Sequence, residues 1–332
     1  MKVLVTGATG FIGTHIVKEL AGSGHELVGI DLRPPDAAVA AYLGADAARV
    51  RFAVADISDR RSLEEAVSGP LDGVVHAAVV TSTPEVEVNE PQRVIAGNLL
   101  GTIEVLRVAE LRRAARVVYV SSSGVYGATE PDALLSECHR LQLHTLYTMT
   151  KYASECLVTS GADRGTFEAA SARIAAPYGP MERPTGARTA MSIMHAMAHA
   201  ALERRAVRLA GPDCGRDWTY AGDIALAVRL LLEAPRLDYP CYNVSSGVFR
   251  TLGDAARALA LAVPGFVWEP APSDAADLDG GAVQPRGPLA LDRIRGLGFV
   301  PRYTLEDGLR ETVTWLRRFR EAGAAIDSGG VG

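Results

Sequence analysis

Residues 2–13 read KVLVTGATGFIG and set the fold that the chain is expected to adopt. The apolar run 3–5 is typical of a strand buried on both faces. Gly7, Gly10 and Gly13 follow in a turn, and HIVKELAGSG (15–24) reads as the next helix. Glycines at this spacing let the backbone approach a pyrophosphate, and the helix amino terminus directs N–H groups and its positive dipole end at the phosphate charge. We therefore predict a dinucleotide-binding turn.

The residues after this turn complete the pattern. The next apolar run, HELVGID (25–31), ends on an acidic residue, Asp31, which lies 18 residues beyond Gly13. A strand before the glycines, a helix after them and an acid at the end of the second strand form the full dinucleotide fingerprint. This context distinguishes the turn from an ordinary tight connection between a strand and a helix.

Apolar runs continue to alternate with helical segments up to residue 174. We predict further strands at 50–56, 72–78, 116–122 and 167–174. This alternation predicts an α/β protein with a doubly wound parallel sheet of the Rossmann type. Beyond Pro177 the pattern gives way to Pro- and Gly-rich loops and separate helices, which indicates a smaller, irregular C-terminal lobe.

The chain is accordingly expected to divide into two lobes and a tail. Residues 1–176 with 217–247 are expected to form the dinucleotide-binding domain. Residues 177–216 with 248–322 are expected to form a substrate-binding lobe at the carboxyl ends of the strands, where ligands bind in open α/β sheets. The small and polar residues 323–332 are expected to form a flexible tail.

Composition narrows the class of protein. The chain has 332 residues, is 48% hydrophobic and carries a formal charge of −5, so no basic surface for nucleic acid or for a membrane is expected. Its four cysteines are scattered without metal-ligand spacing, so we expect reduced thiols in the cytoplasm and no metal site. No apolar run reaches the length of a membrane span, and because the sequence starts directly on the first predicted strand, we expect no signal peptide.

A second group of residues carries acid–base chemistry. Tyr147 and Lys151 are four residues apart on a predicted helix, so both side chains emerge on one face. A cation this close to a phenol favours the phenolate form. Ser121, Ser122 and Ser123 end a predicted strand, at the edge where a bound cofactor would present its reactive ring. Together with the glycine turn, these residues predict a redox site.

The motifs, in their order, resemble one known family. They are TGATGFIG (6–13), HAA (76–78), NLLGT (98–102), SSSGVYG (121–127), YTMTK (147–151), YGP (178–180) and RDW (216–218). The chain resembles the extended short-chain dehydrogenase/reductase family, in its NAD-dependent epimerase/dehydratase group, which acts mostly on nucleotide sugars. The resemblance extends from Met1 to about Arg320.

This resemblance implies the catalytic roles. Tyr147 would be the general acid/base that takes or gives a hydroxyl proton while hydride moves to or from the nicotinamide. Lys151 would hold the nicotinamide ribose and stabilise the phenolate. Ser122 would hydrogen-bond the reacting oxygen, with Ser123 as the alternative.

The resemblance also implies NAD as cofactor, with NADP less favoured. Asp31 would accept hydrogen bonds from the adenosine ribose and repel a 2′-phosphate, although an arginine such as Arg33 can tolerate that phosphate. Asp56 and Ile57 would contact adenine, and Asn98 would back the cofactor from the long helix predicted at 92–113. The other cofactor residues implied are Gly7, Gly10, Phe11, Ile12, Gly13, Leu32, Ala77, Ala78, Tyr147 and Lys151.

Departures from the family pattern narrow the reaction. Dehydratases of the family carry Asp and Glu directly after the catalytic hydroxyl residue, where this chain has Ser123 and Gly124. Neither residue can do acid–base work at carbon, so elimination of water and decarboxylation are not expected. We expect an NAD-dependent epimerase that acts through a transient keto intermediate. The alternatives are a net dehydrogenase or reductase of a sugar or small hydroxy or keto substrate, and a non-catalytic nucleotide-binding scaffold.

The substrate residues are inferred from fewer matches. Arg216 and Arg286 match the arginines that clamp the diphosphate of a nucleotide sugar, and Ser123 would lie beside the sugar. However, Ala176 replaces the usual Asn, and Leu146 replaces the usual Pro before the catalytic tyrosine. A smaller substrate without a nucleotide therefore stays open as an alternative.

Three further expectations concern the protein outside the catalytic group. The resemblance suggests a homodimer built from the helices around 92–113 and 147–160. His76, in an apolar strand, is expected to be a packed core histidine. Glu85, Glu87 and Glu90 are expected to form a solvated face.

Overall fold

The computed structural model describes residues 1–185, 191–282 and 284–328. The strands are β1 (Lys2–Thr6), β2 (Glu26–Asp31), β3 (Val50–Val54), β4 (Gly73–His76), β5 (Arg116–Ser122), β6 (Glu168–Ile174), β7 (Pro177–Tyr178), β8 (Val207–Ala210), β9 (Gly215–Arg216), β10 (Thr219–Tyr220), β11 (Cys241–Val244), β12 (Arg250–Thr251), β13 (Trp268–Pro270) and β14 (Leu278–Asp279). The helices are α1 (Phe11–Gly22), α2 (Ala37–Leu43), α3 (Arg60–Ala66), α4 (Pro84–Asn89), α5 (Pro91–Ile95), α6 (Gly101–Leu111), α7 (Leu146–Asp163), α8 (Ile193–Leu202), α9 (Ala221–Glu233), α10 (Leu252–Ala262), α11 (Asp292–Arg295) and α12 (Leu305–Ser328).

The main sheet has seven parallel strands in the order β11-β6-β5-β4-β1-β2-β3. From β1 the chain winds outward through β2 and β3, then returns to β4 on the other side of β1 and winds outward again. Val5 of β1 is therefore paired with Gly29 of β2 on one side and with Val75 of β4 on the other. This arrangement confirms the predicted doubly wound α/β fold, and its switch point between β1 and β4 is where such sheets bind ligands.

The first strand shows why its sequence is apolar throughout. Val3 and Val5 pack with residues of α1 and α9 on one face of the sheet. Leu4 points to the other face and packs with residues of α3 and α6. Alternate side chains of a strand point to opposite faces, so a sheet covered by helices on both sides needs apolar residues at all three positions.

A smaller core lies beyond the sheet. There β8 pairs in parallel with β13 and β14, and helices α8, α10 and α12 pack around it. Met197, Leu209, Leu259 and Leu309 are fully buried in this second cluster. Two short pairings, β7 with β10 and β9 with β12, connect this region to the end of the sheet.

Two local features differ from the sequence prediction. The polar stretch before Pro91 forms a helix, α4, which Thr83 caps by accepting a hydrogen bond from the Val86 amide at 3.3 Å. The long helix predicted at 92–113 is divided into α5 and α6 by a π-helical turn at Ala96–Leu100.

The C-terminal helix extends into the predicted tail. It runs to Ser328, and residues 329–332 of the tail lie outside the described residues. Within the ranges that the structure describes, no helix is long and apolar enough to cross a membrane.

Candidate active site

One continuous cavity opens at the switch point between β1 and β4. It extends from the glycine turn and the end of β2, past the ends of β4 and β5, to residues of the smaller lobe. Predicted site residues that line it are Gly7, Gly10, Phe11, Ile12, Gly13, Asp31, Leu32, Arg33, Asp56, Ile57, Ala77, Ala78, Ser122, Ser123, Tyr147, Lys151, Arg216 and Arg286. The fold thus brings together residues that are up to 279 positions apart in the sequence, from Gly7 to Arg286.

The glycine turn is packed too tightly for other residues. Gly7 has a φ of +68°, and a Cβ there would lie 2.7 Å from the Ala78 Cα. A Cβ on Gly13 would lie 1.8 Å from the Gly7 carbonyl oxygen. Gly10 is the N-cap of α1 and has no side-chain atom to cover the first turn of the helix. The positive end of α1 is therefore directed at the cavity without a capping side chain from its own N-cap residue.

The carboxylate of Asp31 is fixed at the far end of the cavity. One oxygen accepts a hydrogen bond from the Thr9 amide at 3.0 Å, and the other accepts one from the Leu32 amide at 2.8 Å. The glycine turn and the end of β2 thus hold the acid in a single orientation on the cavity wall. Arg33, which also lines the cavity, is exposed.

Tyr147 and Lys151 lie one turn apart on α7, which packs against β5 and β6. The Lys151 Nζ donates a hydrogen bond of 2.7 Å to the Val120 carbonyl oxygen and lies 6.0 Å from the centroid of the Tyr147 ring. Burial lowers the pKa of Lys151 to about 7, against the opposing effect of the Glu155 carboxylate. Ser122 ends β5 on the same cavity wall, and its Oγ accepts a hydrogen bond from the Gly124 amide at 3.0 Å.

A buried ion pair lies one helical turn below Lys151. Glu155 of α7 accepts hydrogen bonds from Arg173 of β6, the shortest at 2.7 Å, and from the Ser121 Oγ at 2.5 Å. Arg173 also donates to the Tyr126 hydroxyl at 3.0 Å. This network ties α7 to β5 and β6 directly beneath Tyr147 and Lys151, so the helix has little freedom to rotate.

Arg216 and Arg286 meet at the other end of the cavity. The Arg286 Nε donates to the Gly127 carbonyl at 2.8 Å, and the Arg216 Nε donates to the Gln284 carbonyl at 2.9 Å. Burial, and after it the charge of Arg216, lowers the pKa of Arg286 to about 10. Burial also lowers the pKa of Arg216. Among the described residues no carboxylate is paired with either guanidinium, so this part of the cavity wall suits an anion.

The carboxylate of Asp217, next to Arg216 in the sequence, forms hydrogen bonds with other segments and not with Arg216. Asp217 is buried and accepts hydrogen bonds from the Ser246 Oγ at 2.6 Å and from the amides of Gly247 at 3.2 Å and Leu289 at 3.1 Å. It therefore joins the strand that carries Arg216 to the segment that follows Arg286. This contact helps to hold both arginines at one place, and within the part of the chain that the structure describes it leaves them without an acidic partner.

Asn98 is placed differently from the prediction. It is buried and does not line the cavity. Its Oδ1 accepts from the Val80 amide at 2.7 Å, and its Nδ2 donates to the Val80 carbonyl and the Thr150 Oγ1, both at 3.1 Å. Asn98 thus fixes the wall at 79–81, which lines the cavity, and ties it to α7.

The expected solvated face of three glutamates is wrong for Glu87. Its carboxylate accepts hydrogen bonds from the amides of Leu146 and Tyr147, each at 3.0 Å. The sequence held a signal for this arrangement, because Thr83 followed by Pro84 is a typical helix start and predicts α4. His76 is buried in β4, which confirms the expected core histidine. Its Nδ1 lies 2.7 Å from the Thr6 Oγ1.

An ion pair that no sequence pattern predicted lies at the edge of the cavity. Arg183, beyond β7, and Asp36, the N-cap of α2, form an ion pair at 2.9 Å, and both line the cavity. The position of Asp36 before an apolar run was a usable N-cap signal. No local pattern marks Arg183. The described residues contain no group of three or more His, Cys, Asp or Glu side chains placed to hold a metal ion.

These features fit a dinucleotide such as NAD. A helix start capped by a glycine suits a pyrophosphate, and the fixed acid at the end of the second strand suits a ribose with free hydroxyls. Asp56 and Ile57 follow β3 on one side of β1, whereas Tyr147 and Lys151 belong to α7, which packs against β5 and β6 on the other side. The order of these residues along the cavity therefore matches the order of adenine, ribose, pyrophosphate and nicotinamide in NAD.

Known proteins are similar to this chain over nearly its whole length. The UDP-glucose 4-epimerase of Mycolicibacterium smegmatis is 27% identical over 321 residues, with 96% of this chain and 99% of the relative covered. The dTDP-glucose 4,6-dehydratase of Streptomyces niveus is 26% identical over 326 residues, with 96% and 93% covered. The crystal structure of the UDP-glucose-4-epimerase from Stenotrophomonas maltophila, with bound NAD and formylated UDP-arabinopyranose, superposes with a TM-score of 0.81 at 27% identity, and the match covers 97% of this chain and 99% of the other.

A family model supports the same assignment. The chain matches the model of the NAD dependent epimerase/dehydratase family over residues 3–245, which is well over half of its 332 residues. The matched region contains the glycine turn, the helix α7 with Tyr147 and Lys151, and Arg216. The protein therefore belongs to the NAD-dependent epimerase/dehydratase family and is an NAD-dependent enzyme of the extended short-chain dehydrogenase/reductase type.

Proposed function

We propose that the protein is a nucleotide-sugar 4-epimerase that oxidises and re-reduces one secondary alcohol through a transient keto intermediate. The observation that carries the proposal is the single cavity that contains the glycine turn, Ser122, Tyr147, Lys151 and the arginine pair. Several similar proteins, among them the Mycolicibacterium smegmatis relative, are named as 4-epimerases of UDP-sugars.

The cofactor site is proposed as follows. The first turn of α1, beside Gly7, Gly10 and Gly13, would hold the pyrophosphate together with Phe11 and Ile12. Asp31 would bind the adenosine ribose hydroxyls, and Leu32 and Arg33 would flank them. Asp56 and Ile57 would contact adenine, while Ala77 and Ala78 would line the path to the nicotinamide. When bound, NAD supplies a hydride acceptor that becomes a hydride donor in the second half of the reaction.

Tyr147 is the proton carrier of the proposed mechanism. Its phenolate takes the proton of the substrate hydroxyl as the C–H bond of the same carbon gives up its hydride, so a carbonyl forms and two electrons leave the sugar. The Lys151 ammonium stabilises the phenolate electrostatically, and the Ser122 hydroxyl donates a hydrogen bond to the reacting oxygen. In the return step Tyr147 gives the proton back to that oxygen after the sugar has presented its other face. Atoms and electrons then balance without net oxidation.

The arginine pair supports a substrate with a diphosphate. Arg216 and Arg286 provide two guanidinium groups that lack carboxylate partners among the described residues and so can bind two phosphates. The usual amide at position 176 is an alanine, so the arginines carry the recognition of the diphosphate in this chain. A UDP- or dTDP-sugar fits these groups better than an uncharged sugar does.

The residues after Ser122 favour epimerisation over elimination. Removing water from a 4-keto sugar needs an acid and a base at neighbouring carbons. Ser123 and Gly124 occupy those positions, and the Ser123 Oγ already accepts a hydrogen bond from Arg286 at 3.4 Å. A net dehydrogenase or reductase uses the same catalytic residues, so the experiment must separate it from an epimerase.

The two lobes are proposed to bind different ligands in the shared cavity. We assign cofactor binding to residues 1–176 with 217–247 and substrate binding to 177–216 with 248–322. Arg216 of the cavity wall supports the second assignment, because its strand β9 pairs with β12, which leads into α10 of the smaller core.

A homodimer is part of the proposal. Ile95, Leu100, Leu111 and Met149 are large apolar side chains that stay exposed on α5 to α7. A second copy packed as a four-helix contact would cover them. We expect a dimer by sedimentation at micromolar concentration, a monomer for Leu100→Glu, and no change for Leu261→Glu on the exposed face of α10. A wild-type monomer would contradict this contact.

We also propose a cytosolic location. Cys138, Cys156, Cys214 and Cys241 are all free thiols. Thiols stay reduced in the cytosol, whereas oxidising compartments favour disulfides. Localisation of the tagged protein to an oxidising compartment would overturn this assignment.

The function is tested with purified enzyme and a panel of UDP- and dTDP-sugars. Products are identified by NMR, and the absorbance at 340 nm reports reduced cofactor. We expect at least one nucleotide sugar to give its 4-epimer without accumulation of reduced cofactor. Stoichiometric reduced cofactor would instead identify a dehydrogenase, and the absence of turnover across the panel would overturn the catalytic assignment.

A further inference from the structure

We propose that Glu87 is a positioning residue that sets the place of Tyr147 by binding the first two amides of the catalytic helix. This inference rests on the proposed function, because it gives Tyr147 the role of acid/base. Glu87 itself is not among the described residues that line the cavity. It belongs to α4, which is separated from Tyr147 by 60 residues of sequence.

The contacts of the Glu87 carboxylate divide between its two oxygens. Oε2 accepts a hydrogen bond from the Leu146 amide at 3.0 Å. Oε1 accepts from the Tyr147 amide at 3.0 Å and from the Ser82 Oγ at 2.6 Å. Burial alone raises the pKa of Glu87, but these three hydrogen bonds outweigh it and lower the pKa below its usual value. The carboxylate is therefore ionised at neutral pH.

Glu87 completes the amino terminus of α7. The first amides of a helix lack partners within the helix and must be satisfied from outside. Thr145 accepts from the Thr148 amide through its Oγ1 at 3.1 Å, and its carbonyl accepts from the Met149 amide at 2.9 Å. The amides of Leu146 and Tyr147 remain, and Glu87 binds both. The backbone of the catalytic tyrosine is thus fixed by a side chain from another element.

The residue before the tyrosine explains why a carboxylate is needed here. A proline at position 146 would have no N–H, and one acceptor atom would then satisfy this turn. Leu146 has an N–H, so two neighbouring amides require two acceptor oxygens. A carboxylate supplies both, whereas a carboxamide supplies one oxygen and adds a competing donor.

The same carboxylate links the helix to the substrate side of the cavity. Through Ser82 it holds the end of the segment 79–81, which lines the cavity. Asn98 fixes this segment from the other side through Val80. Glu87 therefore fixes the position of Tyr147 relative to the segment 79–81. This matters because reaction rates are sensitive to displacements of about 1 Å between reacting groups.

The first test compares Glu87→Gln with Glu85→Gln. Glu85 is exposed on the same helix and serves as a matched control of equal charge change. We expect Glu87→Gln to lower kcat at least tenfold with KM within about threefold, because the substrate contacts are intact and the acid/base is displaced. Glu85→Gln should leave both constants unchanged. Equal kcat values for the two variants would overturn the proposal.

The second test asks whether the lost acceptor causes the defect. In the Glu87→Gln variant the Leu146 N–H loses its acceptor, and Leu146→Pro removes this N–H altogether. Proline is tolerated at the first helical position. Thr145, at φ −122° and ψ 153°, already has the extended backbone that a residue before proline adopts. We expect Leu146→Pro to recover at least threefold in kcat in the Glu87→Gln background, although alone it gives no gain. The absence of recovery would overturn the proposed cause.

A third measurement needs no substrate. Hydrogen exchange of the holoenzyme, read on peptides that cover 145–150, should be at least tenfold faster at Leu146 and Tyr147 in Glu87→Gln than in wild type. Unchanged exchange would overturn the contact even if no substrate were found. Conversely, an active Tyr147→Phe variant would defeat the proposed function, whereas a fast Glu87→Gln enzyme beside an inactive Tyr147→Phe would defeat this inference alone.

Discussion

Lys151 lies one helical turn beyond Tyr147, with its Nζ 6.0 Å from the centre of the phenol ring. The Nζ lies 4.8 Å from the centroid of a second ring, that of Tyr119, and the Lys151 side chain is only 2% exposed. Because burial disfavours the ammonium and Glu155 favours it, its charge depends on its immediate neighbours. A phenolate at Tyr147 is such a neighbour, so the two groups reinforce each other's charged forms.

Replacing Tyr147 by Phe removes the hydroxyl group that would carry the proton and keeps the aromatic ring. We expect turnover of a nucleotide sugar to fall by at least about 10³-fold, while the amount of bound NAD stays near that of wild type. Tyr152→Phe, five residues farther along α7, serves as the control and should retain activity. A Tyr147→Phe enzyme with most of its turnover would show that another group moves the proton.

Replacing Asp31 by Ala removes the carboxylate that would face the adenosine ribose. The preference for NAD over NADP should narrow by about tenfold or more, since a 2′-phosphate would no longer meet a negative charge. Dissociation constants for both cofactors, measured by titration of apoenzyme, check this. Glu26→Gln, on the exposed start of the same strand, should leave the ratio unchanged, and an unchanged ratio for Asp31→Ala would refute the role.

Replacing Arg216 or Arg286 by Ala should affect substrates according to their phosphates. We expect KM for a nucleotide sugar to rise by about tenfold to a hundredfold, because a charge-assisted hydrogen bond is lost. The constants for the corresponding free sugar should change little. Arg208→Ala, on β8 and paired with Asp277, is the control. Equal effects on both kinds of substrate would indicate a ligand without a diphosphate.

Because His15 is buried, we predict that the free energy of unfolding decreases at acid pH. The Nε2 of His15 lies 2.9 Å from the Pro180 carbonyl, so Nε2 carries the proton and Nδ1 accepts from the Tyr42 hydroxyl at 2.8 Å. Burial lowers the pKa of His15 to about 4, from 6.5. The unfolded chain therefore binds more protons than the folded one between those pH values, and the free energy of unfolding falls as the pH falls through this window, by up to about 3 kcal/mol.

Urea unfolding at pH 7 and pH 4.5 measures this effect. His15→Gln keeps a donor and an acceptor and should show a smaller loss of stability between the two pH values. Some loss should persist, since burial also lowers the pKa of His76 to about 3. His144→Gln, at an exposed position, should behave like wild type. An identical loss in His15→Gln and wild type would contradict the assignment.

The sequence predicted the parts of the molecule whose signals are local. The apolar run at 3–5 and the glycines that follow have few structural alternatives, and the strands at β2, β5 and β6 follow from similar runs. Tyr147 and Lys151 could be paired because helical spacing alone puts them on one face. Asp31 could be predicted from the sequence because it directly follows the apolar run of the second strand.

The remaining features depend on contacts between distant segments. Glu87 looks like an exposed acid until the fold brings it to Leu146 and Tyr147. Asn98 was expected at the cofactor, but its amide is used by Val80 and Thr150. The ion pair of Arg183 with Asp36 joins positions 147 residues apart. Periodicity carries no information about such pairs, because each partner is ordinary in its own neighbourhood.

The central claim is that one bound cofactor takes a hydride from the sugar and returns it to the same carbon, with Tyr147 moving the proton. The most direct measurement uses a nucleotide sugar deuterated at C4 and follows the label in the 4-epimer by mass spectrometry. We predict that the epimer retains the deuterium at C4 and that no labelled NADH is released. Deuterium found on free NADH, or lost to water, would contradict the account.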